Sequence, residues 1–124
     1  MTARSLLALA LAAAALAGCS FQNKYEREAQ RITEAVMANN LQPVKDDIAP
    51  NVKITRVQVA EWSDELNDAG KLISLKESSG SCPVGAHCFD VKFEKHDYVE
   101  MLRMDDTGKV VDWRFHMAPA GAGS

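Results

Sequence analysis

Nowhere does the chain carry the roughly 20 consecutive apolar residues that a membrane-spanning helix needs; its longest apolar run, Leu6 through Ala17, ends at Gly18. It also lacks a basic stripe. The 14 Lys and Arg residues are scattered singly among 17 acids, giving a formal charge of −3, so nothing neutralises a row of phosphates and nucleic acid is excluded as a partner. No Ser-His-Asp, GxSxG, P-loop or HExxH pattern occurs, which removes the common hydrolase, nucleotide-hydrolysing and metalloprotease chemistries. His87 beside Cys88 does not complete a CxxCH haem attachment, and the four ligands of a structural zinc site are missing. Asp97, Asp105 and Asp106 lack the alternate spacing and closing glutamate of a calcium loop. No metal and no cofactor is therefore expected. There is no internal repeat, and 124 residues fall in the range of a single domain.

What is present begins with a leader. Arg4 supplies a positive start, and the apolar run after it is too short to span but suits the core of a signal peptide. Leu16-Ala17-Gly18-Cys19 then resembles the lipobox of bacterial lipoproteins. The resemblance implies that residues 1–18 are removed, that Cys19 carries the lipid, and that the protein sits on a membrane of the cell envelope. Several acyl chains hold far more firmly than one, because each buried methylene contributes about 0.8 kcal/mol. Ser20 resembles the sorting pattern for the outer membrane, facing the periplasm, where the organism has two membranes. With Cys19 assigned to lipid, Cys82 and Cys88 form an even remainder, which in an exported protein is most simply a disulfide. It closes a short, turn-rich loop.

After a tether over 19–24, Tyr25, Ala29, Ile32 and Val36 repeat at helical spacing, and Asn39-Asn40 ends that helix. Pro43 in a first turn predicts a short second helix to Ile48, stopped by Pro50. Val52, Ile54, Val57 and Val59 suit a strand as well, yet Thr55 and Gln58 fit a capping box, with Ile54 and Val59 as its hydrophobic staple. Val59, Trp62, Leu66 and Ala69 keep helical spacing, and Gly70 is the left-handed residue expected after the end. These signals together predict a helix over Arg56 to Ala69. The period then changes to two. Ile73 and Leu75 share one face of a first strand, and Phe89, Val91 and Phe93 one face of a second. After a turn at His96-Asp97, the third strand presents Tyr98, Leu102 and Met104 on one face and Val99 and Met101 on the other. Asp105 to Lys109 is a turn with Gly108 at positive φ. In the fourth strand Val111, Trp113, Phe115 and Met117 alternate with Asp112, Arg114 and His116. The tail, 118–124, has the composition of a disordered end.

Three helices followed by a four-stranded antiparallel meander make an α+β domain over 25–117, with the helices packed on one face of a curved sheet. This order, with the segments Ala69 to Lys76 and Met104 to Phe115, resembles small bacterial proteins of the NTF2-like superfamily. The resemblance implies a cone-shaped fold, which in that superfamily hosts enzymes, carriers and dimerisation modules alike. A non-enzymatic role is expected, in which Trp62, Phe89, Phe93, Tyr98, Trp113 and Phe115 line an apolar interior that opens for a small apolar ligand or serves a protein partner. A homodimer through Val99 and Met101 on the outer sheet face is a further expectation. The enzymatic alternative is an isomerase or hydratase with His116 as general base and Asp112 tuning it.

Overall fold

The computed structural model describes residues 22–119. The leader, Cys19 and residues 120–124 of the expected tail lie outside them. Helix α1 spans Lys24–Met37. Its start is fixed by Asn23, whose side chain accepts the Glu26 amide at 2.8 Å while the Glu26 carboxylate accepts the Asn23 amide at 3.0 Å. Two backbone donors that no helical carbonyl reaches are thereby satisfied. The other end closes on Asn39, at φ 54°. The Asn39 and Asn40 amides return to the Val36 and Ala35 carbonyls, both at 2.9 Å, which is a Schellman ending with asparagine in the glycine position.

The second helix is a 3₁₀ helix, Gln42–Asp47. Six residues are too few for α-helical hydrogen bonding to compete with the pull of the sheet edge beyond them. Ile48 turns extended and bridges to Val110 in parallel, and the Ala49 amide donates to the Val110 carbonyl at 2.9 Å. Helix α2, Arg56–Asp68, starts at the expected Thr55/Gln58 capping box. It stops at Gly70, φ 92°, where an added Cβ would lie 2.8 Å from the Glu94 Cβ. Both the backbone angle and the close approach demand glycine there.

The sheet is antiparallel, in the order β1 (Leu72–Glu77), β2 (His87–Phe93), β3 (Asp97–Met104), β4 (Val110–Met117). Two irregularities change which side chains face inward. Between Leu72 and Ser74 the register slips, so Ile73 is 59% exposed while Leu75 is buried. In β4, Val110 lies opposite Met104 and Asp112 opposite Arg103. Val111 is the extra residue of a bulge, so Val110 takes the core position expected of Val111. One core unites Ala29, Ile32 and Val36 of α1 and Leu66 of α2 with Phe89, Val91, Tyr98, Leu102 and Trp113 of the sheet. Ala118, the first residue of the expected tail, is tied down through its amide to the Asp97 carbonyl at 2.8 Å.

Candidate functional site

Of the six aromatics expected to line an opening interior, Phe89, Phe93, Tyr98 and Trp113 are buried in the core, whereas Trp62 and Phe115 are half-buried against it. All but Phe89 interlock, mostly edge-to-face. Trp62 meets Trp113 at 5.6 Å and Phe115 at 6.2 Å between ring centroids, and Tyr98 meets Phe93 at 5.5 Å and Phe115 at 5.9 Å. This spacing gains quadrupole attraction on top of burial and fills the region between the sheet and the helices. What is left is a void of about 20 Å³ bordered by Ile32, Val36, Trp62, Val110 and Trp113. That volume holds a single water, and Asp112 is the one ionisable group on its wall, too few polar partners for a stable water site.

The void shares part of its wall with the surface. Leu41, Ile48, Val52 and Ile54 line the void and also line a surface crevice of about 350 Å³ between the 3₁₀ helix and the segment leading to α2. Sequence patterning missed this crevice. Its residues belong to a proline-punctuated stretch without period, where apolar side chains have no face to be assigned to. The only signal in the sequence is the four aliphatic residues themselves, none of which falls on the apolar face of a periodic element.

Within the core lies a carboxyl group that the apolar alternation of β3 passed over. Glu100 stands between Tyr98 and Leu102 on the inward face and is 0% exposed. Thr33 Oγ1 lies 2.6 Å from Glu100 Oε1 and 2.8 Å from the Ala29 carbonyl, and Trp113 Nε1 donates to Glu100 Oε2 at 3.3 Å. The threonine hydroxyl has one proton and cannot serve both acceptors. A neutral Glu100 resolves this: its O–H donates to Thr33, Thr33 donates to Ala29, and Trp113 donates to the remaining oxygen. Burial pushes the Glu100 carboxyl up to about 7, against the pull of its bonds to Thr33 and Trp113. Geometry and electrostatics both favour the protonated acid below about pH 7. Tyr98 has a buried ring, and burial together with Glu65 and Asp68 raises its hydroxyl to about 12.

A second raised acid sits between α1 and the 3₁₀ helix. Glu28 is pushed up to about 7 by burial and by the hydrogen bond and charge of Asp47, with Arg31 acting in the opposite sense. Arg31 Nη1 also stands 2.9 Å from Asp47 Oδ2.

His116 and Asp112 are not brought together. They share the outer face of β4, but four residues along a strand separate them by about 13 Å. Asp112 Oδ1 instead accepts from Arg114 Nε at 3.1 Å, and His116 is exposed opposite Val99. The outer face around Val99 and Met101 is polar, carrying Lys76, Asp90, Lys92 and Asp97 as well as Arg114. Cys82 and Cys88 are joined, their Cα atoms 5.8 Å apart. Beside the bridge, His87 stacks on Tyr25 at 3.6 Å, and its Nδ1 is 3.0 Å from Glu77 Oε1. Among the described residues no three His, Cys, Asp or Glu side chains converge on a metal position, and no helix is long and apolar enough to cross a membrane. Comparison with family models, with curated proteins and with solved structures finds no match for this chain.

Proposed function

We propose that the chain is a non-enzymatic binding module of the cell envelope, NTF2-like in fold and held to a membrane by lipid on Cys19, which takes a small apolar ligand at the crevice formed by Leu41, Ile48, Val52 and Ile54. One observation carries the reading: these four aliphatic side chains border both the surface crevice and the internal void that reaches Trp62 and Trp113. An apolar channel of this kind, with Gln42 and Lys45 at its rim, suits an alkyl chain or a small ring. Its gain comes from apolar area removed from water, about 25 cal/mol per Å². Trp62, half-buried at the channel's inner end, is the side chain whose movement enlarges the void. Self-association through the outer sheet face has less in its favour, because charges surround Val99 and Met101.

Trp62 and Trp113 are the two tryptophans of the sequence, so intrinsic fluorescence reports directly on the channel. Titration with a graded series of alkyl carboxylates should change the emission saturably, with affinity rising with chain length, and Ile54→Glu should abolish the response. A linear response, or one that Ile54→Glu leaves intact, would rule out the channel as a binding site.

A further inference from the structure

Val84 is 96% exposed, the most exposed large apolar side chain among the described residues, and three ties hold it there. The Cys82–Cys88 bridge closes the loop. The Ala86 amide donates to the Pro83 carbonyl at 3.0 Å, with Gly85 at φ 80° making the turn. Arg103 Nη1 donates to the Val84 carbonyl itself at 2.9 Å. Ser78 through Ala86 contains no charged residue, and the charge nearest the tip is the Arg103 guanidinium that holds it. A single exposed valine on a mobile loop needs no explanation. One fixed outward at the apex of a cross-linked loop is built to meet an apolar phase at little ordering cost.

The loop's position says which phase. Its base is clasped to the first turn of α1. Asn23 Nδ2 donates to Glu77 Oε2 at 2.9 Å, the Glu77 amide donates to Glu26 Oε2 at 2.9 Å, and Tyr25 lies flat on His87. Cys19 is four residues before Asn23, a reach of at most about 14 Å even when extended. A lipid on Cys19 therefore puts this end of the domain at the membrane surface. Glu26 and Glu77 of the clasp are outnumbered by Lys24 and Arg27, exposed on the same turn, together with Arg103 at the loop, a balance that suits anionic headgroups.

We infer that the Cys82–Cys88 loop, tipped by Val84, is a second membrane contact, inserting at the headgroup boundary of an anionic bilayer and fixing the orientation of the domain. The inference rests on the lipid anchor proposed above. The opposite end of α1, about 20 Å away along its axis, would then face the aqueous side with the crevice mouth at Leu41 and Ile54, which Asn39 and Asn40 adjoin.

The test uses full-length protein purified from membranes and reconstituted in phosphatidylethanolamine and phosphatidylglycerol vesicles, with or without bromine on the acyl chains. Val84→Trp is compared with Val57→Trp, an exposed position at the far end, and with the parent. Each variant should float with the vesicles, and Cys19→Ser should not. Bromine should quench most of the emission added by Val84→Trp and none of that added by Val57→Trp. Flotation without quenching at position 84 overturns the inference and leaves the anchor standing. Failure of the parent to float, or flotation of Cys19→Ser, overturns the anchor and the inference with it. A blue-shifted but unquenched signal from Val84→Trp would place the loop against a second copy of the chain, and would likewise overturn the bilayer assignment.

Discussion

Glu100 and Asp105 lie on one strand and at the turn that ends it, yet they occupy opposite electrostatic worlds. Asp105 is in water, and Oδ1 accepts from the Thr107 hydroxyl at 2.6 Å and from the Thr107 and Lys109 amides at 2.9 Å. The Thr107 hydroxyl foremost, and then the Lys109 amide, hold it below the usual carboxylate range. Glu100 also has hydrogen-bond partners, but burial outweighs them and raises it to about 7. Donors alone do not decide the state of a carboxyl group. Whether water can replace them does.

The contrast is sharpest in the pH dependence of stability. A folded-state value above the ordinary 4.5 means that the native state holds the Glu100 proton longer than the unfolded chain does. Stability is then greatest below about 4.5, falls as pH rises toward 7, and is level above that, a loss of about 3 kcal/mol. Glu100→Gln keeps an acceptor for Trp113 and cannot ionise, so denaturant titrations from pH 4.5 to 7.5 should show that loss in the parent and not in the variant. Glu28, also raised to about 7, contributes in the same direction to both proteins and cancels in the difference. A parent and variant that run parallel across this range would mean that Glu100 is ionised inside the core or reached by water.

Next in size is Thr33→Val. Losing the hydroxyl leaves the Glu100 proton without an acceptor in a dry site, at a cost of about 2 kcal/mol. In a Glu100→Leu background the same change should be close to neutral, because both members of the pair are then apolar. Equal costs in the two backgrounds would show that the pair is not coupled. The smallest effect belongs to Asp105→Ala, with the opposite pH signature. The lowered value makes the contribution of Asp105 complete above the ordinary 3.8, lost only as pH falls through the lower folded value. Parent and Asp105→Ala should therefore differ at pH 7 and converge in strong acid.

How legible these regions were depends on the range of the forces that set them. Thr55 with Gln58, Gly70 and Gly108 could be placed from sequence because each answers a local backbone demand: an orphan amide, or a φ that other residues resist. The Val111 bulge and the slip at Ile73 were invisible, since strand alternation carries no record of where a partner strand inserts an extra residue. The segment after Pro43 reads as a short helix from its proline in a first turn, and it winds as a 3₁₀ helix because Ile48 and Ala49 are drawn to Val110 at the edge of β4, far along the chain. Glu100 was the opposite case. The alternation of Tyr98 and Leu102 already put residue 100 inward, but a glutamate is not assigned to a core until Thr33 and Trp113 are seen beside it. The crevice of Leu41, Ile48, Val52 and Ile54 depends on how the stretch from Leu41 to Ile54 folds against itself and the core, which residue periodicity does not record.

The separation of Thr33 from Glu100, 67 residues, also bears on the order of assembly. β1 to β4 form a meander of neighbouring hairpins whose contacts are local in sequence, whereas α1 must close almost the whole domain to reach β3. Loop-closure entropy makes such contacts late. With α1 in place Glu100 is buried and its carboxyl is raised to about 7, so completing the fold takes up a fraction of a proton near neutral pH, and a mildly acidic environment favours completion of the fold over its reversal.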